Sequence, residues 1–518
     1  MQTLLPELID AVSEHIPLTW KPQTLLSLSL TCRRVNTIVI PHLLYRHVRI
    51  EGEELCRAAI TRMSVEQENT DRPPLGHYVQ NLIISTPRTS TAEVDVLAQF
   101  HISISNGVFP QLRSLAIILE GGWQWDGESG EELEFHQLDP PFWKCLETRC
   151  PHLSELVLVG LIGQGDDPET VSTAACSQLK LHHISIESAA IDMTGLMRRL
   201  GDPIIRDNLQ ALELASPGDI VIDEKLSLLD MTFPRLSSFI LEAGGCDLDT
   251  VEFFERHPLL TRVEIGIYMG DSWFVGFHGG LLPNLKVLKC TFVNARSVLP
   301  HIGHQLTTLD LLETSNSQAV WLLRTRVSGG ILPRLRSLGI QLRASTNSKN
   351  KAENGHGWRE DERGHPSQES RKKFQRYFDG NYVMSVAKAA PNLEELELMG
   401  PSCDRLDAIS SSLSLMPKLR HLSISGPQNY TQKPFFEVSR LWVEDDPKQR
   451  DLIVDTYDPA PLYTPDNFER VALDLANGCR TLGTISLSSR VAEWLADDKT
   501  ARIIRNEEGT VDTIVMSK

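Results

Sequence analysis

Pro110-Gln111-Leu112-Arg113-Ser114-Leu115-Ala116-Ile117 and Pro151-His152-Leu153-Ser154-Glu155-Leu156-Val157-Leu158 share one pattern: Pro, one residue, then Leu-x-x-Leu-x-Leu or its Ile equivalent. Apolar residues two apart mark a strand with one buried face, because side chains alternate along a strand. The leading Leu fills the turn before that strand, and the Pro stops any helix that precedes it. The pattern recurs at Leu209/Leu212/Leu214, Leu236/Phe239/Leu241, Leu260/Val263/Ile265 and Leu285/Leu288/Cys290. It continues at Leu306/Leu309/Leu311, Leu335/Leu338/Ile340, Leu393/Leu396/Leu398 and Leu419/Leu422/Ile424. Weaker copies stand at Val79/Leu82/Ile84, Leu181/Ile184/Ile186 and Leu482/Ile485/Leu487.

Successive first positions from Leu153 to Leu335 are spaced 28, 28, 27, 24, 25, 21 and 29 residues apart. A period in that range resembles a leucine-rich repeat. The expected fold class is therefore α/β: an irregular solenoid with short parallel strands inside and helices outside. Asp249–His257 illustrates the outer helix, with Val251 and Phe254 on one face. Glu120, Leu161, Gly244 and Tyr268 stand where such repeats usually carry Asn or Cys, so a side-chain ladder at the turn is missing and uneven curvature is expected. An unrelated fold of repeated strand–helix units fits the same pattern.

The N-terminus reads differently. Leu5, Leu8, Ile9, Val12 and Ile16 fall at helical spacing, with Pro6 in the first turn, where its missing N–H costs nothing. Pro17 and Pro22 end that helix, and a second run spans Thr24–Cys32 and continues through Val35, Ile38 and Val39. Pro41 closes it, and His42–Arg46 begins a third element. Three short helices in so few residues expose more apolar surface than they bury among themselves.

Leu5-Pro6-Glu7-Leu8-Ile9, Leu25-Leu26-Ser27-Leu28, Thr31-Cys32-Arg33-Arg34-Val35-Asn36 and Leu43-Leu44-Tyr45-Arg46, in that order, resemble an F-box of the fungal form. The resemblance covers residues 3–49. It implies docking onto the Skp-family adaptor, and through it onto a cullin, with Leu5, Pro6, Leu8, Ile9, Leu25, Leu28, Cys32 and Val35 in the adaptor interface or the small core presenting it. A plain helical cap on the first repeat fits the same residues. The two differ in whether Leu5, Leu8 and Leu28 turn inward.

The expected organisation is an adaptor-binding segment at 1–50, a linker or cap at 51–78, repeats over 79–343, a polar disordered insert at 344–373, further repeats over 374–490 and a C-terminal cap at 491–518. Within the second block, 427–465 interrupts the pattern but carries Phe435, Phe436, Trp442, Tyr457 and Tyr463, which argues for an ordered excursion. Ile503-Ile504 and Ile514-Val515-Met516 flank Asn506-Glu507-Glu508-Gly509 and read as a hairpin.

The chain of 518 residues has a formal net charge of -17. Residues 1–50 contribute +2 (Lys21, Arg33, Arg34, Arg46 and Arg49 against Glu7, Asp10 and Glu14), leaving -19 for the rest. That balance disfavours nucleic acid as a partner and favours a basic protein segment. Nine dispersed cysteines form no disulfide framework or zinc spacing, and free thiols are expected. No secretory signal or membrane-length apolar run is present, so the expected location is the cytosol or nucleus. No phosphate loop, metalloprotease, nucleophile-elbow or kinase motif occurs, so neither catalytic residues nor a cofactor or metal are expected.

Alternation along the strands places Glu155, Glu187, Glu213, Glu242, Glu264, Asp310, Glu395 and Glu397 on the helix-free, concave face, against Arg262 and Lys289. Ile118, Val157, Val159, Ile240, Leu312 and Met399 are interleaved there. The expected function is substrate recognition in an SCF-type ubiquitin ligase. The alternatives are an F-box scaffold that acts without ubiquitylation and a repeat protein with no adaptor.

Overall fold

The computed structural model describes residues 9, 11–13, 21–65, 73–87, 96–120, 140–159, 179–187, 200–215, 228–242, 250–266, 273–314, 316–325, 332–342, 382–399, 406–425, 468–488, 499–506 and 509–517. The chain divides into two compact units, Met1–Leu236 and Ser237–Lys518. The inserts at 344–373 and 427–465 lie outside the described residues, as do Leu5, Pro6 and Leu8.

The first unit carries six parallel strands in sequence order: β1 (His47–Glu51), β2 (Asn81–Pro87), β3 (Ser114–Glu120), β4 (Glu155–Val159), β5 (His183–Glu187) and β6 (Ala211–Ala215). The second carries β7 (Ser238–Leu241), β8 (Arg262–Ile265), β9 (Val287–Thr291), β10 (Thr308–Thr314), β11 (Ser337–Leu342), β12 (Glu395–Met399), β13 (His421–Ser425) and β14 (Thr484–Ser488), again parallel and in order. Antiparallel β15 (Lys499–Arg505) and β16 (Val511–Ser517) follow and form the expected hairpin. In-order parallel pairing with a helix in many of the intervals is the topology of a leucine-rich-repeat-like array.

The apolar pattern does what its alternation dictates. Leu112, Leu115 and Ile117 are fully buried, as are Leu285, Leu288 and Cys290 in the second unit. In parallel register these residues stack strand on strand, Leu115 on Leu156 and Ile117 on Leu158. Helices cover that face. Phe292–Ile302, for instance, buries Phe292, Ala295, Val298, Leu299 and Ile302, at the helical spacing of an amphipathic element. Between Thr250–Arg256 and the sheet, Phe253 lies 4.9 Å from Phe239 and 5.8 Å from Phe254 between ring centroids.

A backbone ladder replaces the missing side-chain ladder. At repeat after repeat two consecutive N–H groups donate to one carbonyl of the preceding repeat: Arg113 and Ser114 to Gln80 at 2.7 and 3.0 Å, Lys286 and Val287 to Thr261 at 2.8 and 3.0 Å. Thr307 and Thr308 bond Lys286 in the same way, and Glu394 and Glu395 bond Arg336. Hydroxyls at the turn reinforce it, with Thr261 Oγ1 donating to Ser237 O at 3.0 Å. The buried turns are thereby satisfied without Asn.

The array starts earlier than residue 79. β1 pairs in register with β2, and the helix Glu53–Ser64 buries Cys56, Ile60 and Met63 beneath it. Residues 51–78, expected as a linker or cap, thus hold most of a repeat. The pattern was hidden because Tyr45, not an aliphatic residue, stands three before Val48, where the other copies carry their leading Leu or Val. At the other end Arg505 holds the hairpin by donating to Ala476 O at 2.9 Å and Cys479 O at 2.8 Å, at the C-terminus of the helix Phe468–Gly478. No helix among the described residues is long and apolar enough to cross a membrane.

Candidate interaction surfaces

The N-terminal segment folds around its own small core of Ile9, Leu25, Val35, Val39 and Leu43. Its second helix is Lys21–Ser29, with Pro22 in the first turn rather than ending the helix before it. Leu30–Cys32 breaks the run, and the next helix is Arg33–Ile38. Cys32 caps it, its Sγ accepting from Val35 N at 3.5 Å. A π-type turn at Val39–Leu43 follows, in which Ile40 is extended (φ -107, ψ 112) because Pro41 comes next.

Of the residues assigned to the adaptor, Ile9, Leu25 and Val35 are buried in this core, and Leu28 and Cys32 pack half-buried against it. They belong to the segment's own core rather than to its solvent-facing surface. The apolar side chains offered to solvent are Leu26 and Leu30, 49% and 78% exposed, and Val12 at 58%. Sequence reasoning passed over Leu26 and Leu30. Their spacing of four, on the side of the helix away from Leu25 and Ser29, was the available signal.

On the repeats, every charged residue assigned to the helix-free face stands on it, but the acids are not alike. In the second unit they are wired together. Arg262 bonds Glu264 Oε1 at 2.6 Å, and Lys289 Nζ lies 2.8 Å from Glu242 Oε1 and 3.6 Å from Glu264 Oε2. Glu264 is only 7% exposed, so its carboxylate is taken up by Arg262 and Lys289 rather than facing a partner. Burial pulls the Lys289 pKa down, but the hydrogen bond it donates to Glu242 and the charges of Glu242, Glu264 and Asp310 outweigh it and raise the pKa.

Asp310 is the neighbour of Lys289 on β10. Burial first, then Glu264 and Glu397, push its carboxyl up to about 6, against the opposing pull of Lys289 and a backbone hydrogen bond from Gly339. Gly339 faces it on β11, where a Cβ would strike the Asp310 carboxylate. Glu395 and Glu397 on β12 are exposed.

The first unit is built differently. Across β2 to β4 the middle row of the open face is Ile83, Ala116 and Val157, and the next row holds Ile118 and Val159. Ile83, Ile118, Val157 and Val159 are each half-buried. Glu155 and Glu187 are exposed, and neither forms an ion pair among the described residues. Glu213 is half-buried, with its Oε1 3.4 Å from His183 Nε2. The sequence places Ile118, Val157 and Val159 on this face but does not show that they join Ile83 and Ala116 in one patch; that depends on strand register.

No family model and no curated protein matches this sequence. Among solved structures the chain is similar to a leucine-rich-repeat protein of Leptospira interrogans, at 10% identity and a TM-score of 0.21 over 74% of this chain and 91% of that one. The strand register, not this likeness, carries the fold.

Proposed function

We propose that this chain is the substrate-recognition subunit of an SCF-type ubiquitin ligase acting in the cytosol or nucleus. Its N-terminal helices dock onto the Skp-family adaptor, and its repeats hold a protein substrate. The observation that supports the reading is the N-terminal segment: a compact core of its own, formed by residues of the F-box-like motif, that leaves Leu26 and Leu30 in solvent. Apolar side chains exposed on a small rigid scaffold are the ordinary anchors of a protein interface. In this reading the chain performs no chemistry. It raises the effective concentration of substrate lysines near a conjugating enzyme held by other subunits.

Co-expression with the adaptor and a cullin tests it. Because β1 begins at His47, and Arg46 O accepts from Gln80 and Asn81, the deletion that spares the repeats removes residues 1–45. The full chain is expected to retain adaptor and cullin, and the deletion to lose both while keeping its repeat fold. Adaptor retained without cullin would instead identify a scaffold that acts outside ubiquitylation.

A further inference from the structure

The open face of the first unit sets an aliphatic patch beside acidic residues. Ile83, Ala116, Ile118, Val157 and Val159 are contiguous over β2–β4 in two adjacent rows. Glu187 on β5 and Glu213 on β6 lie to one side of them, and Glu155 stands on β4 itself, two residues before Val157. On the opposite side, β1 is neutralised within itself, Arg49 Nε standing 2.5 Å from Glu51 Oε1. Crossing the strands from β2 to β6, the surface therefore passes from aliphatic to acidic. In the second unit Arg262 and Lys289 already occupy the acids of β7 to β9.

We infer that this face binds a protein segment in which aliphatic side chains are followed by Lys or Arg residues, the aliphatic part over Val157 and Ile118 and the basic part over Glu155 and Glu187. Charge complementarity and apolar surface act together here. An aliphatic patch alone would accept any apolar chain, and the adjacent carboxylates select one with cations at the matching end. The carboxylates also repel acidic segments, so phosphorylated peptides are poor occupants. The inference rests on the reading of the open face as the substrate surface, and deepens it.

The test uses the full chain and three synthetic peptides of equal length, followed by fluorescence anisotropy. One carries Leu-Ile-Leu followed by three Lys, the second replaces those Lys by Glu, and the third replaces the aliphatic residues by Ser. The first is expected to bind and the other two to bind at least about tenfold more weakly, the usual effect of losing one interface anchor. Val157→Thr with Val159→Thr keeps strand propensity and shape, and should weaken the first peptide about tenfold with an unchanged melting temperature. Glu155→Gln with Glu187→Gln should flatten its salt dependence.

Equal binding of the first and third peptides, binding indifferent to both double variants, or no binding of any peptide overturns the inference. So does concentration-dependent dimerisation of the parent that Val157→Thr with Val159→Thr abolishes, since the patch would then be covered by a second copy. Adaptor binding, measured on the same preparation, separates the two claims. A chain that holds the adaptor yet fails the peptide test loses only this inference, and one that passes the peptide test without holding the adaptor loses only the ligase reading.

Discussion

Asp310→Asn should make the protein more stable at neutral pH and leave it unchanged in acid. The Asp310 carboxyl titrates near 6 in the fold against 3.8 for an unperturbed aspartate, because it is buried beside Glu264 and Glu397. A carboxyl whose folded pKa lies above its unfolded one binds its proton more tightly in the native state, so stability falls as pH rises through that window. At about 1.4 kcal/mol per pH unit, ionising Asp310 costs the fold about 3 kcal/mol by neutral pH, net of its attraction to Lys289. Asn carries no charge, and its side-chain oxygen still accepts the Gly339 backbone hydrogen bond. Urea unfolding of parent and variant at about pH 7.5 and about pH 4 isolates the effect, with a gain of about 3 kcal/mol expected at the first and close to none at the second. A variant that is less stable at neutral pH, or whose gain is the same at both pH values, would refute the electrostatic reasoning.

Lys289→Met should destabilise the second unit by about 3 kcal/mol at neutral pH, because buried Glu264 keeps only Arg262 as a partner; a melting temperature equal to the parent's would sink the network. Phe253→Ala removes a fully buried ring stacked among Phe239, Phe254 and His257 and should cost about 3–5 kcal/mol in the same assay. Burial pushes the Cys150 thiol up to about 12 and also raises that of Cys290, so neither should react with a thiol reagent until the protein unfolds. Half-buried Cys32 and Cys145 should label first among the described cysteines, and rapid native labelling of Cys150, seen by mass spectrometry, would contradict the packing.

What the sequence made legible follows from what physics writes locally. Alternation within Leu-x-Leu determines which side chains face the core, so the strand positions and the face of Glu264, Lys289 and Asp310 were readable from residues alone. The state of those charges was not. Glu264 reads as one more surface acid until β7, β8 and β9 bring Glu242, Arg262 and Lys289 around it, and that depends on register between residues far apart in the chain. The same holds for the patch joining Ile83 to Val157. At the N-terminus the motif marked the core residues Leu25 and Val35, because burial is what an apolar consensus encodes. Leu26 and Leu30 have the same chemistry, and only the helix axis shows that they point outward. His257 is a further case: the sequence shows it only as the end of an outer helix, but it is buried, with its Nδ1 2.6 Å from Phe253 O and its pKa lowered to about 4, first by burial.

Calorimetric titration of purified Skp-family adaptor into the full chain tests most directly the proposed docking through the exposed side of the N-terminal helices. Saturable one-to-one binding is expected, abolished by Leu26→Asp with Leu30→Asp at an unchanged melting temperature, since both side chains already lie in solvent. Absence of binding by the parent, or binding that survives removal of residues 1–45, would contradict it.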